Sequence, residues 1–185
     1  MNHLATSKED ILAASRDLIK ENGWAAVSIR AVASRCSVSA GTIYNYYESK
    51  ADLLSDTIES IWHEIFFHPE DEQIFHDVET CISWIYERLE YGNRQFPGFF
   101  SLHSFGFMRD EKTSGKKRMM KTWGHILNGL CEVLGNDPKV RADVFDQEFT
   151  EKKFADILFS LILVSMIRQD YDPSSVLMLV KKTLY

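Results

Sequence analysis

Cysteine, proline and glycine are all scarce in this 185-residue chain, which holds three, four and nine of them. The cysteines, Cys36, Cys81 and Cys131, are odd in number, far apart and without CxxC spacing. That argues against a disulfide framework or a zinc cluster and fits a reducing cytoplasm. No apolar run is as long as a membrane span. The longest, Ile157 to Ile167, is about half that length and contains Ser160 and Ser165. Met1 to Ser7 is too short and polar to be a signal peptide. Catalytic signatures are missing too: no GxSxG occurs, and no cysteine is flanked by a convincing base. Ser114-Gly115-Lys116-Lys117 fails as a phosphate loop, because Asp110 stands where the earlier glycine belongs and Lys117 replaces the needed Ser or Thr. His63, His68 and His76, near Glu70, Asp71 and Glu72, lack the one-turn spacing of paired metal ligands. The expectation is no enzyme, no metal and no cofactor.

What is present suits one or two soluble globular domains, with 45% hydrophobic and 26% charged residues. A chain of this length buries a core without covalent staples. The net charge is −6, which taken whole argues against nucleic acid. Its distribution changes that conclusion. Between Trp24 and Lys50 the charges are Arg30, Arg35, Glu48 and Lys50, a net of +2 against −8 elsewhere. A mildly basic segment sits on an acidic body.

Apolar residues recur at three and four throughout, and no alternating strand pattern appears, so the fold class is all-α. The first helix opens near Thr6 or Ser7, where Ser7 with Asp10, or Thr6 with Glu9, makes a capping box. It carries Ile11, Leu12, Ala14, Leu18 and Ile19 on one face and ends at Asn22-Gly23, with Trp24 placed to cover Ile19. A second helix runs from Ser28 as cap, and Cys36-Ser37-Val38 breaks it. Ser39 caps a very short third helix reaching Tyr46, and Ser49 with Asp52 opens a fourth. Further helices are expected near 71–94, 99–110, 116–134, 138–146, 149–168 and 174–184. The domain junction is expected near residues 60–70.

Two short helices joined by a three-residue break, braced by longer helices on either side, form a helix-turn-helix layout. An α-helix fits the DNA major groove and meets base edges with its N-terminal residues. Val32, Ala33, Val38 and Ile43 are the expected glue of the pair. The third helix makes little sense as structure alone. It is short, exposes Thr42, Tyr44, Asn45 and Tyr46, and carries Gly41 at a cost of about 1 kcal/mol against Ala. A close approach of backbone to another surface would explain that glycine.

The stretch Ile29 to Tyr47, IRAVASRCSVSAGTIYNYY, followed by Glu48-Ser-Lys50-Ala-Asp-Leu-Leu54, resembles the TetR family of bacterial transcriptional regulators. Ile11-Leu-Ala-Ala14 and Asn22-Gly-Trp-Ala25 fit its first helix and first turn, so the resemblance covers about the first third of the chain. It implies a three-helix DNA-binding domain over 5–65, with the motif at 28–47. A larger helical domain over 66–185 would bind an effector and dimerise. By position, Thr42, Tyr44 and Asn45 would face the groove. Tyr46, Lys50 and the helix start at Ser39, Ala40 and Gly41 would meet phosphates, and Ser28 matches the usual cap. Two positions depart: Ser37 replaces the usual turn glycine, and Ala40 a frequent basic residue.

In the second domain, Trp84, Phe99, Phe100, Phe105, Phe107 and Trp123 are candidates to line an effector pocket. Phe154 to Ile167 is apolar around nearly its whole circumference, more than one subunit can hide. Ile157, Leu161, Leu163 and Val164, with Val176, Leu177 and Val180 of the last helix, are the expected four-helix dimer interface. The five cations Lys112, Lys116, Lys117, Arg118 and Lys121 read as a solvated face. The functional expectation is a homodimeric, cytoplasmic regulator, a repressor released from a palindromic operator by a small, largely apolar effector. Its partners are double-stranded DNA, a second copy and that effector, with no membrane. The alternative is a helical small-molecule-binding protein or enzyme whose first domain no longer reads DNA.

Overall fold

The computed structural model describes residues 6–67, 76–100 and 114–185, with side chains of the last segment described from Trp123 onward. The chain divides into two compact units. One runs to Phe66 and includes Arg94–Pro97; the other takes up Phe67–Asn93 and Gly98–Tyr185. Every regular element among the described residues is helical.

In the first unit, α1 spans Lys8–Asn22, α2 Ile29–Arg35, α3 Ala40–Tyr44 and α4 Lys50–Phe66. Ser7 and Asp10 make the capping box: the Asp10 amide donates to Ser7 Oγ at 3.1 Å, and the Ser7 amide donates to Asp10 Oδ2 at 2.9 Å. Those bonds from Ser7 hold the Asp10 carboxyl below the usual range. Helix α1 stops at Gly23, whose amide donates to the Ile19 carbonyl at 2.9 Å. With φ 75° and ψ 177°, Gly23 occupies a region open essentially to glycine alone. A short 3₁₀ turn, Trp24–Ala26, follows. Ile11, Val27, Val32, Ile43, Leu53, Ile61 and Ile65 are wholly buried and make the core of this unit. Ion pairs fasten α1 to α4: Lys8 to Asp56 at 2.6 Å, and Arg16 and Lys20 to Glu64 at 3.0 and 2.6 Å.

In the second unit, α5 spans Val78–Gln95, α6 Ser114–Asn136, α7 Glu151–Arg168 and α8 Ser174–Leu184. Asp77 caps α5, accepting from the Thr80 amide at 2.8 Å. Helices α6 and α7 pack together, and Tyr86 of α5 meets Ser165 of α7 through their hydroxyls at 2.8 Å. The last residue, Tyr185, donates to Asp137 Oδ2, which also accepts from the Val78 amide at 2.9 Å. That one buried carboxylate ties the start of α5 and the end of α8 to the end of α6.

Three expectations need correction. The segment 138–146 is turns and bends rather than helix. Its backbone donors go elsewhere: the Arg141 amide bonds the Leu184 carbonyl at 2.9 Å and the Asp146 amide the Phe149 carbonyl at 3.0 Å, while Asp146 Oδ1 takes the amides of Glu148 and Phe149. Aspartates that bond nearby amides compete with helix in this way. Helix α3 ends at Tyr44, not Tyr46. Helix α5 starts at Val78, after a turn at His76-Asp77. The expected helix near 99–110 lies, beyond Phe100, outside the described residues.

The apolar circumference of α7 is divided. Phe154, Ala155, Leu158, Ile162 and Met166 are buried, while Ile157, Val164 and Ile167 are 40–44% exposed. Leu161, Leu163 and Leu177 are half-buried. Val176 and Val180 face their own chain's core, at 8% and 0% exposure, and so leave the candidate interface. On α8 the outward apolar residues are Met178 and Leu179, 58% and 38% exposed. The 3.6-residue period places 176, 180 and 184 on one face and 178 and 179 on the other, a phase that composition alone did not settle.

Candidate nucleic-acid interface

Helix α2 begins at Ser28, whose Oγ accepts from the Ala31 amide at 3.1 Å. It ends in a turn with two reverse bonds, Ser37 amide to Ser34 carbonyl at 3.1 Å and Val38 amide to Ala33 carbonyl at 2.9 Å. This is a Schellman motif, which requires a left-handed residue between helix and exit. Ser37 supplies it with φ 56°. Glycine takes that conformation freely, whereas an L side chain costs about 1–2 kcal/mol there. Ser37 therefore stores modest strain in the turn between the two helices.

Ser39 caps α3, accepting from the Thr42 amide at 3.2 Å, and its hydroxyl also lies 3.0 Å from that of Thr42. Beneath it, Ile43 and Val32 are wholly buried and Ala33 nearly so, which fixes α3 against α2. Outward stand Gly41, Tyr44 and Asn45, all exposed, with Ala40, Thr42 and Tyr46 half-buried. Tyr44 is 55% exposed, unusual for so large a ring. A Cβ on Gly41 would meet only Ser39 Oγ, at an ordinary 3.6 Å, and its φ is not positive. Neither space nor conformation within the chain calls for glycine at that position.

The cations divide into braces and free ends. Arg35 forks onto both carboxylate oxygens of Glu21, at 2.5 and 2.6 Å, with Asp17 at 3.8 Å. The same bonds hold the Glu21 carboxyl below its usual range and raise the Arg35 guanidinium. Arg35 thus ties α2 to α1. Arg30 and Lys50 are exposed and form no ion pair among the described residues. Lys50 is the first residue of α4, where the positive end of the helix disfavours a cation. The Tyr46 hydroxyl donates to the Thr6 carbonyl at 2.6 Å. Its proton is committed inside the protein, which leaves that hydroxyl poorly suited to the phosphate contact expected of it. Sequence reasoning missed this bond and left Arg30 out of the site, although Arg30 is one of only three cations in the basic segment.

The pocket candidates lie in the second unit. Phe99 and Phe100 are wholly buried with rings 5.2 Å apart, Trp84 is half-buried, and Trp123 meets Phe159 edge-on at 5.7 Å. Phe105 and Phe107 lie outside the described residues, as do the side chains of Lys112 to Lys121. The cysteines are all free, and burial pushes the Cys81 thiol up to about 12. Among the described residues no helix is long and apolar enough to cross a membrane.

Residues 11–57 match the model of the bacterial regulatory proteins, tetR family. Over 48 residues the chain is 38% identical to the HTH-type transcriptional regulator UidR of Escherichia coli K12. The alignment covers 26% of this chain and 24% of UidR, so it spans about a quarter of that relative's length. Among solved structures, a tetR-type transcriptional regulator of Streptomyces avermitilis aligns with TM-score 0.66 at 15% identity, over 97% of this chain and 100% of that one. FadR of Bacillus subtilis, in complex with stearoyl-CoA, aligns with TM-score 0.58 at 19% identity, over 97% and 100%. GusR of Salmonella enterica aligns with TM-score 0.61 at 18% identity, over 95% and 94%. Identities this low speak to the fold, and the family match rests on the first domain, where α1 to α3 and their turn lie. Through residues 11–57, which hold the motif, the chain is similar to the bacterial regulatory proteins of the tetR family.

Proposed function

We propose that the protein is a sequence-specific DNA-binding transcriptional regulator, acting in the cytoplasm as a homodimeric repressor. The observation that carries this reading is α3 itself. It is a capped five-residue helix that exposes Tyr44 and Asn45 and holds a glycine for which the chain has no internal use. Thr42, Tyr44 and Asn45 read base edges; Asn can make two hydrogen bonds to adenine. The α3 start at Ser39, Ala40 and Gly41 comes close to the phosphate backbone, with Lys50 and Arg30 supplying charge and Ser28 setting the start of α2. Tyr46 acts from behind, by holding the entry to α1.

The outward stripe of α7, Ile157, Leu161, Val164 and Ile167, together with Met178 and Leu179 of α8, meets the same surface of a second copy under twofold symmetry. Pairing sets two recognition helices about 34 Å apart, one turn of DNA. A small effector in the second unit favours a conformation with a different spacing and lowers DNA affinity by its differential binding. An effector with an apolar body suits the buried Phe99 and Phe100. The FadR neighbour, which holds stearoyl-CoA, is a precedent for a ligand with a long apolar chain in this fold.

Selection of binding sites from random duplex DNA tests the reading. A palindrome with half-sites about one helical turn apart supports it. Recovery of no enriched sequence by the folded protein overturns it.

A further inference from the structure

Tyrosine ordinarily turns its ring to protein and its hydroxyl to water. Tyr171, in the link between α7 and α8, is the reverse. The residue keeps part of its surface exposed, yet its hydroxyl oxygen is buried with no hydrogen-bond partner among the described residues. Its ring lies 6.4 Å from that of Phe100, which meets Phe99 edge-on, and both phenylalanines are wholly buried. Burial pushes the phenol up to about 12, so it keeps its proton at physiological pH.

Other donors in this unit are unspent. Trp123 Nε1 is also buried without a partner. The hydroxyls of Tyr86 and Ser165 share one bond at 2.8 Å but own two protons between them. Buried polar groups are nearly always paired, so a buried phenol hydroxyl without a partner, its ring against Phe100, marks a place that something else completes. Among the described residues, the charges that act on the Tyr86 phenol are the acidic Asp170 and Asp172, which flank Tyr171 in sequence. An anion would meet repulsion.

We infer that the Tyr171 hydroxyl is the polar anchor of the effector site, and that the effector is an uncharged, largely apolar molecule presenting an oxygen acceptor such as a ketone or ester carbonyl. This rests on the reading of the second unit as effector-binding. Tyr171→Phe removes the donor while keeping the ring, and two readouts test it in the full-length protein.

The first readout is the melting temperature without ligand. Losing an unpaired buried hydroxyl leaves the melting temperature unchanged or higher; a clear fall means that the hydroxyl serves an internal bond and overturns the assignment. The second uses 2-acetylnaphthalene, 2-ethylnaphthalene and 2-naphthoate, which share a ring body and differ in acceptor and charge. The ketone is expected to bind wild type about tenfold more tightly than the hydrocarbon, and Tyr171→Phe to abolish that preference while leaving the hydrocarbon unchanged. Equal loss for both, no preference in wild type, binding of none of the three, or preference for the carboxylate overturns it. DNA affinity is measured alongside. A ketone that binds through Tyr171 without altering DNA affinity leaves the anchor standing and removes the effector role.

Discussion

The hydroxyl of Tyr46, two residues beyond the recognition helix, donates to the carbonyl of Thr6, just ahead of α1, at 2.6 Å. A residue expected to touch phosphate is thereby occupied in bracing the motif. Tyr46→Phe should cost about 1 kcal/mol of stability, the usual net worth of such a bond, seen as a lower urea midpoint. The salt dependence of DNA binding should stay as in wild type. A shallower salt slope with unchanged stability would return Tyr46 to the phosphate backbone.

Gly41 should separate folding from binding. Alanine there meets nothing closer than Ser39 Oγ at 3.6 Å, so Gly41→Ala should stabilise the protein by up to about 1 kcal/mol through helix propensity. The added methyl should also hold DNA away and weaken binding. Thermal melts and binding isotherms on the same preparation check both signs. Stability and affinity rising together would mean that this part of α3 does not approach DNA.

The two positive-φ turns of the first unit should respond in opposite directions. Ser37 sits at φ 56°, so Ser37→Gly should raise stability by up to about 1 kcal/mol, the relief of strain being partly offset by a freer unfolded chain. Gly23 has open space around it but φ 75° and ψ 177°, so Gly23→Ala should destabilise by about 1–3 kcal/mol with no clash at all. Chemical denaturation of the two variants decides between conformational strain and packing as the cause.

Much of the first unit was legible in the sequence because its signals are local. A capping pair such as Ser7-Asp10, a cap such as Ser28 and a stop such as Gly23 each declare themselves within a few residues. The motif residues of α2 and α3 lie together along the chain. What stayed hidden depends on distant partners. Tyr46 meets Thr6 forty positions away, Arg35 meets Glu21, and the segment after Pro138 gives its Arg141 amide to Leu184 instead of to a helix. The orientation of α8 is hidden for another reason: five adjacent apolar residues, Val176 to Val180, show no period, so the sequence does not reveal that Val180 faces its own core.

That orientation yields a contrast that tests the proposed dimer surface. Val164→Glu places a charge on the exposed stripe of α7 and should give a folded monomer by light scattering and circular dichroism. Val180→Glu buries the same charge at a position with no exposure and should unfold the second unit instead. A folded dimer for Val164→Glu would place the interface elsewhere.

The most direct test of the account is the salt dependence of DNA binding by wild type, Lys50→Ala and Asn45→Ala, each measured on a selected palindrome and on a scrambled duplex. For wild type, affinity should fall steeply with salt on both, with the palindrome bound far more tightly. Lys50→Ala should weaken both alike and flatten the slope by about one unit, the signature of one lost phosphate contact. Asn45→Ala should keep the slope and lose about 1–3 kcal/mol of preference for the palindrome. Wild-type affinity that ignores salt and sequence, with both variants indistinguishable from it, would contradict the account.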